Sequence, residues 1–332
     1  MRLGLFTFIV LILLLPIEAG AQSLGGLGEV SGDAFTLSVS PQYPSPYSQA
    51  TVSILSGSVD VANSTITASV GGKEVYKGSA RPFSVQLGKT GSITNVKVTA
   101  VSGGTSFSQT ISVQPQDVVI IAEPISSAPI LYSGKPLVPI DGSVRVVAMA
   151  NLKDAGGKTF NPTTYSYAWT VDGVRIANSS GIGKSAIIVA SPLQYRSRTV
   201  SVAVGSPDSA LVGGTTFSLS AEHPSLRIYE NDPLLGIRYD HALSGIYSIS
   251  GAESTLYAAP FSLPTTRGAP FLQWFLNGSS VQTGTSITLR PTGSGQGSAS
   301  LSLVASAGNS MAATTNLSLI FGAKPSINLF GL

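Results

Sequence analysis

Residues 167–185 read YAWTVDGVRIANSSGIGKS, and they carry two incompatible instructions. The tail, Gly183-Lys184-Ser185, ends as a phosphate-binding loop does. The head, residues 169–174, reads as two strands joined at Asp172-Gly173. The phosphate reading fails on spacing: the motif needs a glycine five residues before Gly183, and that position holds Asn178. It also needs a helix after the lysine, whose first N–H groups would hold the phosphates. The next residues are instead Ala186-Ile187-Ile188-Val189, a strand by composition. No nucleotide is expected, and the head is the informative half.

That head recurs. Val70-Gly71-Gly72, Val171-Asp172-Gly173 and Leu276-Asn277-Gly278 repeat at intervals of about 100 residues, the size of a common domain. Asp-Gly and Asn-Gly accept positive φ at both centres of the hairpin turn that matches strand twist. An alternating strand precedes each turn: Ile66, Ala68, Val70; then Tyr165, Tyr167, Trp169, Val171; then Leu272, Trp274, Leu276. Trp169 and Trp274 each stand four residues before the turn glycine, on the inward face of their strands; the first copy has Ala68 there.

The copies stay in step downstream. A short strand comes next at residues 83–87, 186–189 and 287–289. After it runs an alternating strand with inward Val96, Val98 and Ala100, then Val200, Val202 and Val204, then Leu301, Leu303 and Ala305. Turns are expected at Gly103-Gly104, Gly213-Gly214 and Gly308-Asn309, and closing strands at 107–113, 216–219 and 315–319. Short strands with turns this frequent indicate β-sandwiches, and nothing beyond the first residues shows a sustained helical period.

The bulk composition agrees. Among 332 residues there are 36 Gly and 20 Pro, and only 11% are charged, against about 25% in ordinary soluble proteins. A net charge of +3 with scattered basic residues argues against a nucleic-acid partner. Residues 1–21 read as a signal peptide, with Arg2, an apolar run over 3–15, Pro16 and the small-residue site Ala19-Gly20-Ala21. The alternative is an uncleaved membrane anchor, for which the run is short. The five-residue run 118–122 is too short to span a bilayer and reads as a buried strand. There is no cysteine, so neither disulfides nor thiolate metal sites enter.

At its Trp-x-x-Asp/Asn-Gly hairpins the chain resembles bacterial surface modules of the PKD and immunoglobulin-like type. Pro41-Gln42-Tyr43-Pro44-Ser45-Pro46 resembles the proline-rich edge of such modules. Residues 144–149, 180–184 and 229–236 are similar to segments of uncharacterised multi-sandwich envelope proteins of small-genome uncultivated bacteria. The expected fold is all-β, with three tandem immunoglobulin-like antiparallel β-sandwiches after a signal peptide. Its divisions are a flexible lead at 22–30, modules at 31–115, 116–221 and 222–321, and a tail at 322–332 that could add one strand. Short proline-containing joints at 114–116 and 222–224 imply a semi-rigid rod.

Candidate chemistry is sparse. Glu222, His223, Glu230, Asp232, Asp240 and His241 form the densest group of titratable side chains, and a calcium ion held by oxygen ligands there would stiffen the second joint. The competing reading is a polar strand with locally paired charges. No Gly-x-Ser-x-Gly elbow occurs, and residues 263–267 carry Arg267 where a sortase signal requires glycine. Sequons at Asn63, Asn178, Asn277 and Asn316 are expected by chance in so polar a chain. Trp169 and Trp274 are core anchors by alternation rather than carbohydrate platforms.

The resulting expectation is a non-catalytic exported scaffold or adhesion and assembly protein, without a cofactor. Its partners would be envelope or pilus-type proteins or a glycan. The second reading is a carbohydrate-binding module or accessory part of a surface hydrolase system, for which Tyr43, Tyr47, Tyr195, Tyr239 and Tyr247 would share one exposed face.

Overall fold

The computed structural model describes residues 29–30, 34–292, 296–308 and 311–322. The signal peptide, most of the lead and all but the first residue of the tail therefore lie outside the described residues, as does Asn309.

The first sandwich comprises β1 (Glu29–Val30), β2 (Phe35–Ser40), β3 (Gln49–Ser56), β4 (Thr65–Val70), β5 (Lys73–Gly78), β6 (Phe83–Gln86), β7 (Thr94–Ser102) and β8 (Thr105–Val113). One sheet runs β1-β2-β3-β6 and the other β5-β4-β7-β8. Glu29 and Val30 pair with Ser38 and Leu37, so the end of the expected flexible lead is a strand. Alternation turns Leu37, Val52 and Val85 of one sheet toward Ile66, Val96 and Val98 of the other, and these six form one core.

The second sandwich comprises β9 (Asp117–Pro124), β10 (Ser143–Asn151), β11 (Ser166–Val171), β12 (Val174–Arg175), β13 (Gly181–Ile182), β14 (Ala186–Ala190), β15 (Ser197–Gly205) and β16 (Val212–Ser220). Its sheets are β14-β10-β9 and β12-β11-β15-β16, with β13 on β11. Between them pack Val118, Val144 and Ile187 against Tyr167, Trp169 and Val202.

The third sandwich comprises β17 (Ser225–Asp232), β18 (Gly236–Ile237), β19 (Gly245–Ile249), β20 (Ser254–Phe261), β21 (Phe271–Leu276), β22 (Ser279–Thr283), β23 (Ser286–Leu289), β24 (Gly297–Ala307) and β25 (Met311–Phe321). Its sheets are β18-β17-β20-β23 and β19-β25-β24-β21-β22. The sheets are antiparallel as expected, and among the described strands only β19 and β25 pair in parallel, Gly245 opposite Leu317. A connection long enough to cross over allows that geometry. Ile228, Leu256 and Ile287 meet Trp274, Leu303 and Leu317 in its core.

Two further expectations change. Gly213-Gly214 is not a turn; both residues lie inside β16 and are buried, while residues 206–211 make the connection. A Cβ at Gly213 would stand 2.6 Å from the Gln116 Cβ, and one at Gly214 2.5 Å from the Tyr43 ring. Glycine is there for close approach, not for turning. The run 118–122 is buried on one face only, because Val118 and Ile120 enter the core while Val119 is 51% exposed.

The first joint is closed by packing, with the Tyr43 ring on Gly214, and the second by hydrogen bonds. At the first, the Gln116 amide nitrogen donates to the Lys153 carbonyl (3.0 Å) and the Lys153 N–H donates back to Gln116 Oε1 (2.8 Å). At the second, residues 125–127 run beside 262–265: Ser127 N–H donates to the Leu263 carbonyl (2.7 Å) and Thr265 N–H to the Ile125 carbonyl (3.1 Å). Ser262 is fully buried, and its N–H donates to the Ser127 carbonyl at 3.1 Å while its hydroxyl lies 3.3 Å from the Val138 carbonyl. Buried polar groups with partners in both modules hold the second joint in one arrangement, since breaking these bonds leaves the groups unsatisfied.

Candidate interaction surface

The three hairpins have the backbone their residues imply. The φ angles are +58° and +81° at Gly71 and Gly72, +50° and +81° at Asp172 and Gly173, and +50° and +83° at Asn277 and Gly278. In the second and third copies the turn side chain also reaches the next strand. Asp172 Oδ1 accepts from Thr199 N–H, and Asn277 Oδ1 from Ser300 N–H, both at 2.9 Å. Trp169 and Trp274 are fully buried.

The Gly183-Lys184-Ser185 segment spends its amides internally. Gly183 N–H donates to the Tyr165 carbonyl, Lys184 N–H to the Gly181 carbonyl and Ser185 N–H to the Gly183 carbonyl. No amide of these three residues is left to hold a phosphate, and the Lys184 carbonyl accepts from Trp169 Nε1.

The acidic and histidine residues suggested for calcium are drawn apart. β17 places Glu222 and His223 before one end and Asp232 at the other, at about 3.3 Å per residue. His223 lies against Gln194 (3.3 Å) and the Tyr195 ring, beside the second sandwich. Asp232 accepts the N–H groups of Leu234 and Leu235, and these two bonds hold its carboxyl below the usual range. Asp240 pairs with Arg238 at 3.2 Å, and this bond lowers its pKa in turn. Glu230 accepts from the Tyr247 hydroxyl at 3.4 Å. The backbone N–H of His241 donates to the Arg238 carbonyl. The cation among Asp240, Glu230 and Asp232 is the Arg238 guanidinium, whose pKa they raise, Asp240 foremost. Among the described residues no group of three or more such side chains is placed to hold a metal.

The five tyrosines scatter. Tyr43 is packed into the first joint and Tyr47 stands exposed on the first sandwich. Tyr195 is 89% exposed beside His223. Tyr239 caps Tyr229 and Tyr257, and Tyr247 bonds Ser254 at 2.7 Å. They form no shared stacking platform. Leu263 and Thr265, within the segment compared with a sortase signal, are backbone partners in the second joint.

The outer faces of three equivalent sheets differ in a way the sequence repeat conceals. In the first sandwich that face is polar: Thr36, Ser38, Thr51, Ser53, Ser84 and Gln86 alternate with the core residues. In the third it is aromatic, but the chain covers it, with Ile237, Tyr239 and Ala242 packed over Tyr229, Tyr257 and Ala259. In the second it is apolar and the described residues leave it open. Val119 lies opposite Met149 and Ile121 opposite Val147, with Ile188 on the neighbouring strand. Met149 is 59% and Ile188 68% exposed. The Arg145–Glu123 ion pair bounds one end, and Asp117 opposite Asn151 the other. A groove of about 540 Å³ opens beside it, lined by Val119, Met149, Pro162, Tyr167 and Gly183.

No family model matches the chain, and no curated protein does. Solved structures of multi-domain chains are similar over most of its length. Three N-terminal domains of the bacteriophage RB49 highly immunogenic outer capsid protein share 13% identity over 86% of this chain and 99% of that one, with a TM-score of 0.23. The central fibronectin-III array of RIM-binding protein shares 9% over 90% and 100%, at 0.28. The Bacteroides ovatus protein SGBP-B, solved with a mixed-linkage heptasaccharide, shares 12% over 88% and 71%, at 0.22. Scores this low say nothing about a ligand or partner of this chain.

Proposed function

We propose that this chain is a non-catalytic, exported scaffold of the cell surface, which holds an envelope protein at a set place along three joined sandwiches. The proposed units are residues 31–115, 116–221 and 222–321, after a signal peptide at 1–21. The observation that carries this reading is the open apolar face of β9, β10 and β14, on a body whose first joint is packed and whose second is hydrogen-bonded. A fixed body presenting one such face loses little conformational entropy on binding, so modest apolar burial suffices for a lasting contact. The partner, whether a pilus subunit or another envelope protein, brings a complementary apolar surface ringed by polar groups.

The test is capture from the native envelope, with the chain lacking residues 1–21 as bait and Ile188→Lys as its control. A surface substitution of this kind shifts stability by no more than about 0.5 kcal/mol, so loss of a partner reports on the face itself. The reading fails if both baits capture the same proteins, or if the chain turns over glycosides, esters or peptides.

A further inference from the structure

The first joint carries a second, chemically different surface. Pro41, Gln42 and Tyr43, from the loop between β2 and β3, form one wall of a groove of about 530 Å³, within the usual range for ligand sites. Its floor is the outer face of β12, β11, β15 and β16, on the opposite side of the second sandwich from the apolar face.

Register orders that floor. Arg175 lies opposite Thr170, Thr170 opposite Ser201 and Ser201 opposite Thr216. With strands about 4.8 Å apart, this row presents three hydroxyls and a guanidinium across about 14 Å. The adjoining row is Ala168, Ala203 and Gly214, small residues that leave the floor flat. The Tyr43 ring rests against Gly214, where any Cβ would meet it at 2.5 Å. Among the described residues, Thr170, Ser201 and Thr216 make no side-chain hydrogen bond and Arg175 makes no ion pair. No carboxylate lines the groove.

We propose that this groove binds an acidic oligosaccharide, a linear chain of sugars bearing carboxylates. Evenly spaced hydroxyls that both donate and accept suit the hydroxyls of successive sugars. The Tyr43 ring offers an apolar edge for a sugar C–H face, and Arg175 supplies the fork that a carboxylate takes. One guanidinium is too little charge for a nucleic acid, and a floor of Ala and Gly offers no anchor pocket to a protein. The site exists only while the first two sandwiches are joined, since its wall and floor come from different modules.

The experiment is calorimetric titration of the chain lacking residues 1–21 with hexagalacturonate, hexamannuronate and, as neutral control, cellohexaose. At least one uronate binds, and cellohexaose binds at least about tenfold more weakly, as expected for loss of a charge-assisted bond. Arg175→Gln lowers the uronate affinity about tenfold. The double variant Thr170→Val, Ser201→Ala, which keeps the shape of the floor, weakens uronate binding further. Ile188→Lys leaves it unchanged, so this result is separable from the fate of the partner face. Failure of both uronates to bind at millimolar concentration overturns the proposal. So does equal binding of cellohexaose, or an affinity that neither Arg175→Gln nor the double variant alters.

Discussion

Trp169 and Lys184 are joined by a hydrogen bond of 2.8 Å from the indole Nε1 to the backbone carbonyl, and Trp274 makes the matching bond to Gly284 at 2.9 Å. In each case the tryptophan of the hairpin strand ties down the segment that crosses to the opposite sheet. The lysine that suggests a phosphate loop is thus a structural partner through its backbone. Trp169→Phe leaves that carbonyl without its donor and opens a small cavity. It is expected to destabilise the second sandwich by about 2–4 kcal/mol. Urea unfolding followed by far-ultraviolet circular dichroism measures this, whereas fluorescence would then report only Trp274.

Glycines in this chain serve two purposes that substitution separates. Gly71 has positive φ and open space around the Cβ position, so Gly71→Ala is expected to cost about 1 kcal/mol through backbone strain alone. At Gly213 a Cβ meets Gln116 and Val118 at 2.6 and 3.0 Å. Gly213→Ala therefore overpacks the first joint and is expected to cost about 1–3 kcal/mol. Calorimetric unfolding distinguishes them: Gly71→Ala lowers the transition of the first sandwich, Gly213→Ala that of the second.

The Tyr239 hydroxyl is buried beside Tyr257 and Tyr229, and its only neighbouring hydroxyl, on Tyr257, is not placed for a well-formed hydrogen bond. Burial, reinforced by Tyr257 and Tyr229, pushes its pKa up to about 12. An unfolded tyrosine ionises near 10. Below that pH both states are neutral and the folded state keeps its full stability. Between about 10 and 12 the unfolded chain loses the proton first, so stability falls as pH rises. Tyr239→Phe should remove that alkaline loss, and at neutral pH should be neutral or stabilising because it deletes an unsatisfied group. Tyrosinate absorbance and unfolding midpoints between pH 8 and 12 test both statements.

Much of the fold is legible in local pattern. Hairpins with two-residue turns at Gly71, Asp172 and Asn277, inward tryptophans and the alternating strands through Val98, Val202 and Leu303 all come from turn chemistry and side-chain alternation within a few residues. The misreadings have a common origin. Gly213-Gly214 looks like a turn because glycine serves turns and close approach alike, and only the neighbours Gln116 and Tyr43 decide between them. The run 118–122 looks simply buried because hydrophobicity shows that a face is apolar, not that anything covers it. Of the acidic and histidine residues of 222–241, the extended β17 carries Glu222 and His223 away from Asp232, while Asp240, Glu230 and Asp232 gather around the Arg238 guanidinium.

Strand and turn positions, the repeat, and the core-facing side of each strand depend on neighbours along the chain and can be read from it directly. Other features arise only when residues far apart in the chain meet in the fold. These are the joint of Ser127 with Leu263, the hydroxyl row closed off by Tyr43, and the apolar sheet face that the described residues leave open. The physical reason is that backbone propensity and alternation act over a few residues. Burial, hydrogen-bond satisfaction and exposure are properties of surfaces that exist only once distant segments meet.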